Sequence, residues 1–401
     1  MTVTTMSSKG TGWWTRYFVS ASMLGIVLFQ GTQLWGASTT ERALIGLLLV
    51  VLPMIFGMGY LLLPSFAGTT LATPRIPGIH FVCAYGGGLA FLVGTIFEGF
   101  ATIQLVGLVL WTFGVMLFFG ALASTIAPVA RDDPKVLLRG TATPTQSTKL
   151  ATGMLPVGLV YLLSGTAVLV LVVGGIDETA VGLQTIVHLY GAGVAFLLIL
   201  SLGIRLLSGF FHVIPPHRIS EMSLLCAAIG PAMLATHLWV SPWFEIGAVL
   251  VILAMVGYAS IVGFVGFHTD RRRVGIWGII LGAVAGVGGI VVAASMAFGL
   301  DLVPAGTSPI ELHATLMIDG FLIVTIIGYV YLFYPVGTGR FLGATDRIAL
   351  TSILFVAGGV GLQSVGLVAE VSAVEVIGIG GSLIGAISVS YLIINRFRTI
   401  S

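Results

Sequence analysis

Two stretches decide how the rest of the chain is read: RALIGLLLVVLPMIFGMGYLLLP, Arg42–Pro64, and HATLMIDGFLIVTIIGYVYLFYP, His313–Pro335. Each is an apolar run that, wound at about 1.5 Å per residue, covers the roughly 30 Å hydrocarbon core of a bilayer. Aligned on their first residues, they share a glycine fifteen positions on (Gly57, Gly328), a tyrosine at eighteen (Tyr60, Tyr331) and a proline at twenty-two. A third stretch aligned from His188 shares the glycine as Gly203 and then departs, ending at Pro215 and Pro216. Recurrence of one helix at intervals through the chain is the mark of an internal repeat.

The composition fits this reading. Of 401 residues, 57% are hydrophobic and 8% charged, a balance suited to lipid rather than water. In hydrocarbon a lone strand would leave its backbone groups unsatisfied, so each run is expected to be a helix. Twelve runs emerge, near 15–36, 41–64, 79–98, 101–123, 150–174, 181–215, 220–240, 243–268, 275–298, 309–335, 348–368 and 373–396. The expected fold class is therefore an all-α integral membrane protein of twelve transmembrane helices. Residues 1–14 form a cytoplasmic tail and 15–398 a single polytopic domain. If the second, sixth and tenth runs are equivalent, the domain divides into units of four at 15–123, 150–268 and 275–396. The longest loop, 124–149, follows the fourth run rather than the sixth, which argues against two six-helix halves.

Charge sets the expected orientation. Fifteen of the 17 lysines and arginines fall on one side, among them Arg131, Lys135, Arg139, Lys149 and Arg271–Arg273; only Arg42 and Arg205 do not. The positive-inside rule makes that side cytoplasmic and puts both termini there, in a cell membrane. Glu41, Glu98, Asp177, Glu178, Glu245, Asp301, Glu311, Glu370 and Glu375 map to the other side. The first run lacks a small-residue cleavage site and reads as a retained helix. Cys83 and Cys226 show no metal or redox spacing and read as buried thiols.

His188, His237 and His313 are the residues that carry chemistry. Counting along their runs places all three within about 5–12 Å of the outer boundary, each on a different helix. A neutral imidazole is a good ligand for iron or copper and a poor guest in hydrocarbon unless something holds it. A plain alternative stands beside this: an interfacial histidine can simply bond a carbonyl or headgroup water. His80, His212, His217 and His268 fall on the inner side, where roles at helix ends or in loops are expected.

With these helices and histidines, the chain resembles the catalytic subunit of heme–copper oxidases. That family has twelve helices in three four-helix arcs, with metal-ligating histidines at the outer ends of helices two, six, seven and ten. The 49 residues between His188 and His237 are close to the family's copper-ligand spacing. The resemblance implies His188 and His237 as copper-side ligands and His313 as the axial ligand of a high-spin heme. It also marks departures. Arg42 and Thr315 stand where the low-spin heme's two ligands would be, and one copper histidine is missing beside His237. The run after His188, Leu189-Tyr190-Gly191-Ala192, lacks the family's Glu and Tyr, and no lysine lies in runs seven to nine. These losses argue against an oxygen-reducing proton pump. The chain is also loosely similar to the NnrS-type membrane proteins, which contain heme and copper.

Asp319, six residues beyond His313, is expected to be protonated or to face a polar cavity, since an ionised group at that depth costs a few kcal/mol. It is a candidate proton relay or polar support for a heme propionate, and Tyr190 a second supporting group. Arg205 could reach Asp319 only with tilt; snorkelling inward is the simpler expectation. Trp239 and Trp243 suggest an interfacial belt first and a cofactor wall second. The leading expectation is a heme-binding membrane protein, with copper as the accompanying metal. Its role would be with a small gas such as nitric oxide, or in respiratory electron transfer beside an electron donor or respiratory subunit. A degenerate oxidoreductase is compatible with this. Nothing points to nucleic acid; the lipid bilayer is the certain partner. A secondary transporter using Asp319 and Glu98, or a cofactor-free structural subunit, stay open as alternatives.

Overall fold

The computed structural model describes residues 9–139, 145–175 and 182–399. Among them there is no strand. Twelve helices are long and apolar enough to cross a membrane. They are α1 (Gly12–Leu34), α2 (Thr39–Phe66), α3 (Ile76–Ile96), α4 (Ala101–Asp132), α5 (Gln146–Val173) and α6 (Leu183–Phe211), followed by α7 (His217–Thr236), α8 (Trp243–His268), α9 (Gly275–Phe298), α10 (Pro309–Thr338), α11 (Asp346–Ala369) and α12 (Ser372–Thr399). The chain is a multi-pass membrane protein.

The expected loop at 124–149 is partly helical. α4 continues to Asp132, and Val136–Arg139 forms a further short turn of helix. Pro128 lies inside α4 without ending it. Thr125 Oγ1 donates to the Ala121 carbonyl one turn back and accepts the Ala72 amide, tying this extension to the loop before α3. The helix that carries α1 begins at Lys9, within the segment expected as the tail. The expected tail residues 1–8, loop residues 140–144 and the segment 176–181, with Asp177 and Glu178, lie outside the described residues.

Packing between neighbours follows a pattern. Contacts link α12 to α1, α1 to α3, α3 to α4, α4 to α5, α5 to α7, α7 to α8, α8 to α9, α9 to α11 and α11 to α12, which closes a ring of nine. α2, α6 and α10 lie inside this ring and are the three most buried helices. Every consecutive block of four thus gives its second helix to the centre. Small residues and hydrogen bonds must hold such helices together, because lipid gives apolar side chains little reason to prefer one another.

All three central helices open into a wide, π-helical segment one or two turns from their starts: Gly46–Val51, Leu189–Phe196 and Thr315–Ile323. α3 has one as well, at Val82–Gly86. In α2 the cause is local. Pro53 has no N–H to give the Leu49 carbonyl, and Gly25 of α1 lies directly against that carbonyl. α6 and α10 have no such proline. Their wide segments face one another through Phe196 and Phe321, ring centroids 5.6 Å apart, and α10 meets α2 where Ile318 covers Gly46.

The shared glycine and tyrosine of α2 and α10 do matching work. Gly57 lies against Phe18 and Thr15 of α1, and Gly328 against Gly275 and Ile279 of α9, so each glycine admits the helix before it. Tyr60 pairs with His80 of α3 at 2.9 Å, and Tyr331 with Ser352 of α11 at 2.7 Å, so each tyrosine bonds the helix after it. Gly203 of α6 differs: Tyr329 and Tyr258 occupy the space beside it.

A methyl group on Gly328 would sit 2.7 Å from the Gly275 carbonyl oxygen and 2.8 Å from the Ile279 amide nitrogen, backbone atoms that cannot turn aside. Gly328→Ala is therefore expected to lower stability by about 1–3 kcal/mol in detergent unfolding measurements. Gly120, with open space around it, should accept alanine without loss.

Candidate functional site

The starts of α2, α6 and α10 share one end of the bundle with the ends of α7 and α9. Between them lies a cavity of about 190 Å³. Its wall is largely apolar, with Phe196, Phe321, Leu322 and the thioethers Met296 and Met317; Thr39, Thr40 and Gln184 are its uncharged polar members. Two of the three candidate histidines, His188 and His313, line it.

Hydrogen bonding fixes the form of both rings. His188 Nδ1 lies 2.7 Å from the Gln184 carbonyl one turn back in α6. His313 Nδ1 lies 3.0 Å from the Gly289 carbonyl of α9. A carbonyl only accepts, so Nδ1 must carry the proton in each neutral ring, which leaves Nε2 with its lone pair. This is the state a metal-ligating imidazole adopts, with the far nitrogen donating to a carbonyl that orients the ring. The plain role foreseen for an interfacial histidine, a bond to a carbonyl, is thus present too.

His237 is placed differently. It is the residue that ends α7, and its neighbours Leu238 and Trp239 line the cavity while it does not. Thr236 gives its hydroxyl proton to the Ala232 carbonyl, so His237 Nδ1 donates to Thr236 Oγ1 at 2.8 Å. The ring packs near Trp243, centroids 6.0 Å apart. Among the described residues, no three of His, Cys, Asp and Glu come together as a metal-binding group. Tyr190, two residues from His188, turns the other way, with its hydroxyl bonded to Thr166 at 2.9 Å and the Trp111 indole at 3.2 Å. Trp239 is a cavity-wall residue, is half exposed, and has a left-handed backbone (φ 64°) that is rare for a large side chain.

Behind α10 lies a second polar group. Asp319 is 2% exposed. Gln30 Nε2 donates to its Oδ1 at 3.3 Å, and Gln33 Nε2 reaches both oxygens at 3.2 and 3.1 Å. Gln33 Oε1 accepts from Gln363 Nε2 at 2.6 Å and from Arg42 Nη1 at 3.4 Å. Arg42 completes an ion pair with Glu311 at 2.5 Å. The Arg205 partnership with Asp319 does not form: Arg205 bonds Thr152 Oγ1 and stacks 4.0 Å over the Phe66 ring. Glu98 is exposed at the end of α3 and is not part of this group.

The histidines at the other end mostly fall as expected. His212 ends α6 beside Arg271, His217 starts α7 paired with Glu221 at 3.2 Å, and His268 ends α8 stacked on Phe264. His80 corrects the expectation. It is wholly buried, ringed by Phe18, Phe56, Tyr60 and Phe118. Counting depth along a helix misses this, because it says nothing about which way the residue faces. Cys83 and Cys226 are free and buried.

Sequence reasoning did not find the amide pair Gln30–Gln33, whose signal was two glutamines at i, i+3 in an otherwise apolar helix. It also placed Arg42 and Glu311 without pairing them. No protein-family model matches the chain, and no curated protein gives a significant match.

Gln33 serves Asp319, Arg42 and Gln363 at once. Gln33→Leu is expected to cost about 2–4 kcal/mol, because it leaves buried polar groups without partners. The double variant Gln33→Leu/Asp319→Leu should recover part of that loss in the same unfolding assay. A double variant no more stable than the single would contradict the coupling.

Proposed function

We propose that the protein binds heme in the cavity between α6 and α10, with His313 as axial ligand and His188 as the imidazole facing the same space. The observation that carries this reading is the pair of neutral histidines lining one apolar cavity, each held by a carbonyl at Nδ1 and each with its Nε2 lone pair unused. Apolar walls with a few placed polar groups match a porphyrin in chemistry, and Thr39, Thr40 and Gln184 offer hydrogen bonds to a polar edge; at about 190 Å³ the space has to widen to seat the whole macrocycle. The donor set does not suit a three-ligand copper centre, since His237 stands off the wall and no third ligand joins His188 and His313. The proposal is accordingly for heme alone.

The ring of nine helices around three supports relationship to the heme–copper oxidase subunits, as three diverged four-helix units. The place where that family's low-spin heme ligands would stand is taken by Arg42, bonded to Glu311 and Gln33, and by Thr315. Heme bound between α6 and α10 would supply an iron able to hold a small gas and to change oxidation state. The chain's own residues orient the imidazoles through the Gln184 and Gly289 carbonyls, and Phe196, Phe321 and Leu322 exclude water. The positive-inside rule puts this end of the bundle outside the cell membrane and both termini inside. A gas ligand such as nitric oxide needs no charged route to the cavity, which favours gas binding or reduction, or respiratory electron transfer, over oxygen-driven proton pumping.

Protein purified from heme-replete cells should be reddish, with a Soret band and a pyridine-hemochrome signal. His313→Ala should abolish the band, while His268→Ala, at the far end of α8, should leave it intact. A colourless wild-type preparation would sink the reading. Equal loss in both variants would refute His313 as ligand.

A further inference from the structure

We propose that Asp319 is a proton-binding site reached by water from the Arg42–Glu311 end of the bundle. Asp319 itself lies off the wall of the histidine cavity, which Arg42 touches through Thr39 at 3.4 Å, and its protonation does not require heme to be bound there. Exposure falls inward along this route: the side chain of Glu311 is 30% exposed, that of Arg42 10%, and Asp319 is almost fully enclosed. Glu311, Thr315 and Asp319 follow one another at four-residue steps on α10, a spacing that keeps side chains near one face of a helix.

Three atoms of this group are buried with no partner: Arg42 Nε, Thr315 Oγ1 and Gln363 Oε1. Buried polar atoms are nearly always bonded, and where protein supplies no partner an ordered water does. One donor, one acceptor and one hydroxyl that is both can bind such waters. They belong to α2, α11 and α10, the helices that meet around Gln33 and Asp319.

The charges make the carboxyl a place where a proton can come and go. Arg42 from α2 is already paired with Glu311 of α10, and Glu375 of α12 adds a further negative charge near both. α1 and α11 contribute only the amides Gln30, Gln33 and Gln363. Arg42 also acts on Asp319 across Gln33, so one cation serves the three carboxylates Glu311, Glu375 and Asp319. Gaining a proton removes a charge from the membrane interior that Arg42 compensates only in part, at the cost of an amide hydrogen bond. In that step a hydronium ion at the exposed end of the route gives up its proton, and each intervening water accepts one proton and passes one on. The O–H bond forms on a carboxylate oxygen of Asp319, leaving the waters neutral. Among the described residues Oδ1 accepts from both Gln30 and Gln33 and Oδ2 from Gln33, so Oδ2 is the less committed of the two oxygens.

Infrared difference spectra of the full chain in lipid nanodiscs, recorded from acidic to alkaline pH, test this. A protonated-carboxyl band should appear on acidification, shift in heavy water, and vanish in Asp319→Asn. Aspartate labelled with heavy carbon in its side-chain carboxyl should move the same band in the unsubstituted protein, which covers the case in which Asp319→Asn fails to fold. Thr315→Val keeps the shape of the side chain but removes its hydroxyl, and should slow the heavy-water shift. Absence of a titrating aspartate band in labelled wild-type protein would overturn the site. A band that never responds to heavy water, or exchanges equally fast in Thr315→Val, would overturn the water route.

Discussion

Close approach of helix backbones at the centre of the bundle is the constraint on which everything else rests. Helices in hydrocarbon gain little by burying apolar side chains, so α2, α6 and α10 can be enclosed only where small residues admit their neighbours and polar groups find one another. Gly57 and Gly328 do the first on α2 and α10, and Tyr60 and Tyr331 do the second. Gly46 lets Ile318 of α10 settle onto α2. Once the three are enclosed, the α6 and α10 starts are fixed relative to each other, and with them His188 and His313.

α10 divides the bundle into two chemical regions. On one side lies an apolar cavity with two imidazole lone pairs, which suits a neutral, redox-active ligand. On the other lies a packed set of amides, carboxylates and one guanidinium. The two differ in what they can accept. The cavity has space but little charge, and the Asp319 group has charge held in hydrogen bonds among Gln30, Gln33, Arg42 and Gln363. The wide segment Thr315–Ile323 serves both, carrying Met317, Ile318, Phe321 and Leu322 toward the cavity and Asp319 toward α1. Such segments add a residue to a turn and so redirect the side chains around them.

The spans were legible because about twenty consecutive apolar residues have no other economical reading. The end of α4 was not, because Ser124–Asp132 is polar enough to resemble a loop and its helix is completed by Thr125 bonding outside it. His188 and His313, counted to one depth along their helices, do line one cavity. Rotation about the helix axis was not legible, which is why His237 lies off the cavity wall and why His80, counted as an interface residue, is enclosed by aromatic rings. Arg42 was visible as a departure from the resembling family. Its partner was not, since Glu311 is 269 residues away in the chain. The equivalence of α2 and α10 was read from a glycine and a tyrosine, and those two residues make matching contacts in the fold.

The central claim is that α6 and α10 hold two imidazoles around one ligand space. An electron cryomicroscopy map of the protein in lipid nanodiscs, resolved to side chains, examines it most directly. The account predicts His188 and His313 turned into a common cavity, with planar density bonded to the His313 imidazole. A map in which that space holds only an acyl chain, or in which the two rings turn apart toward lipid, would contradict it.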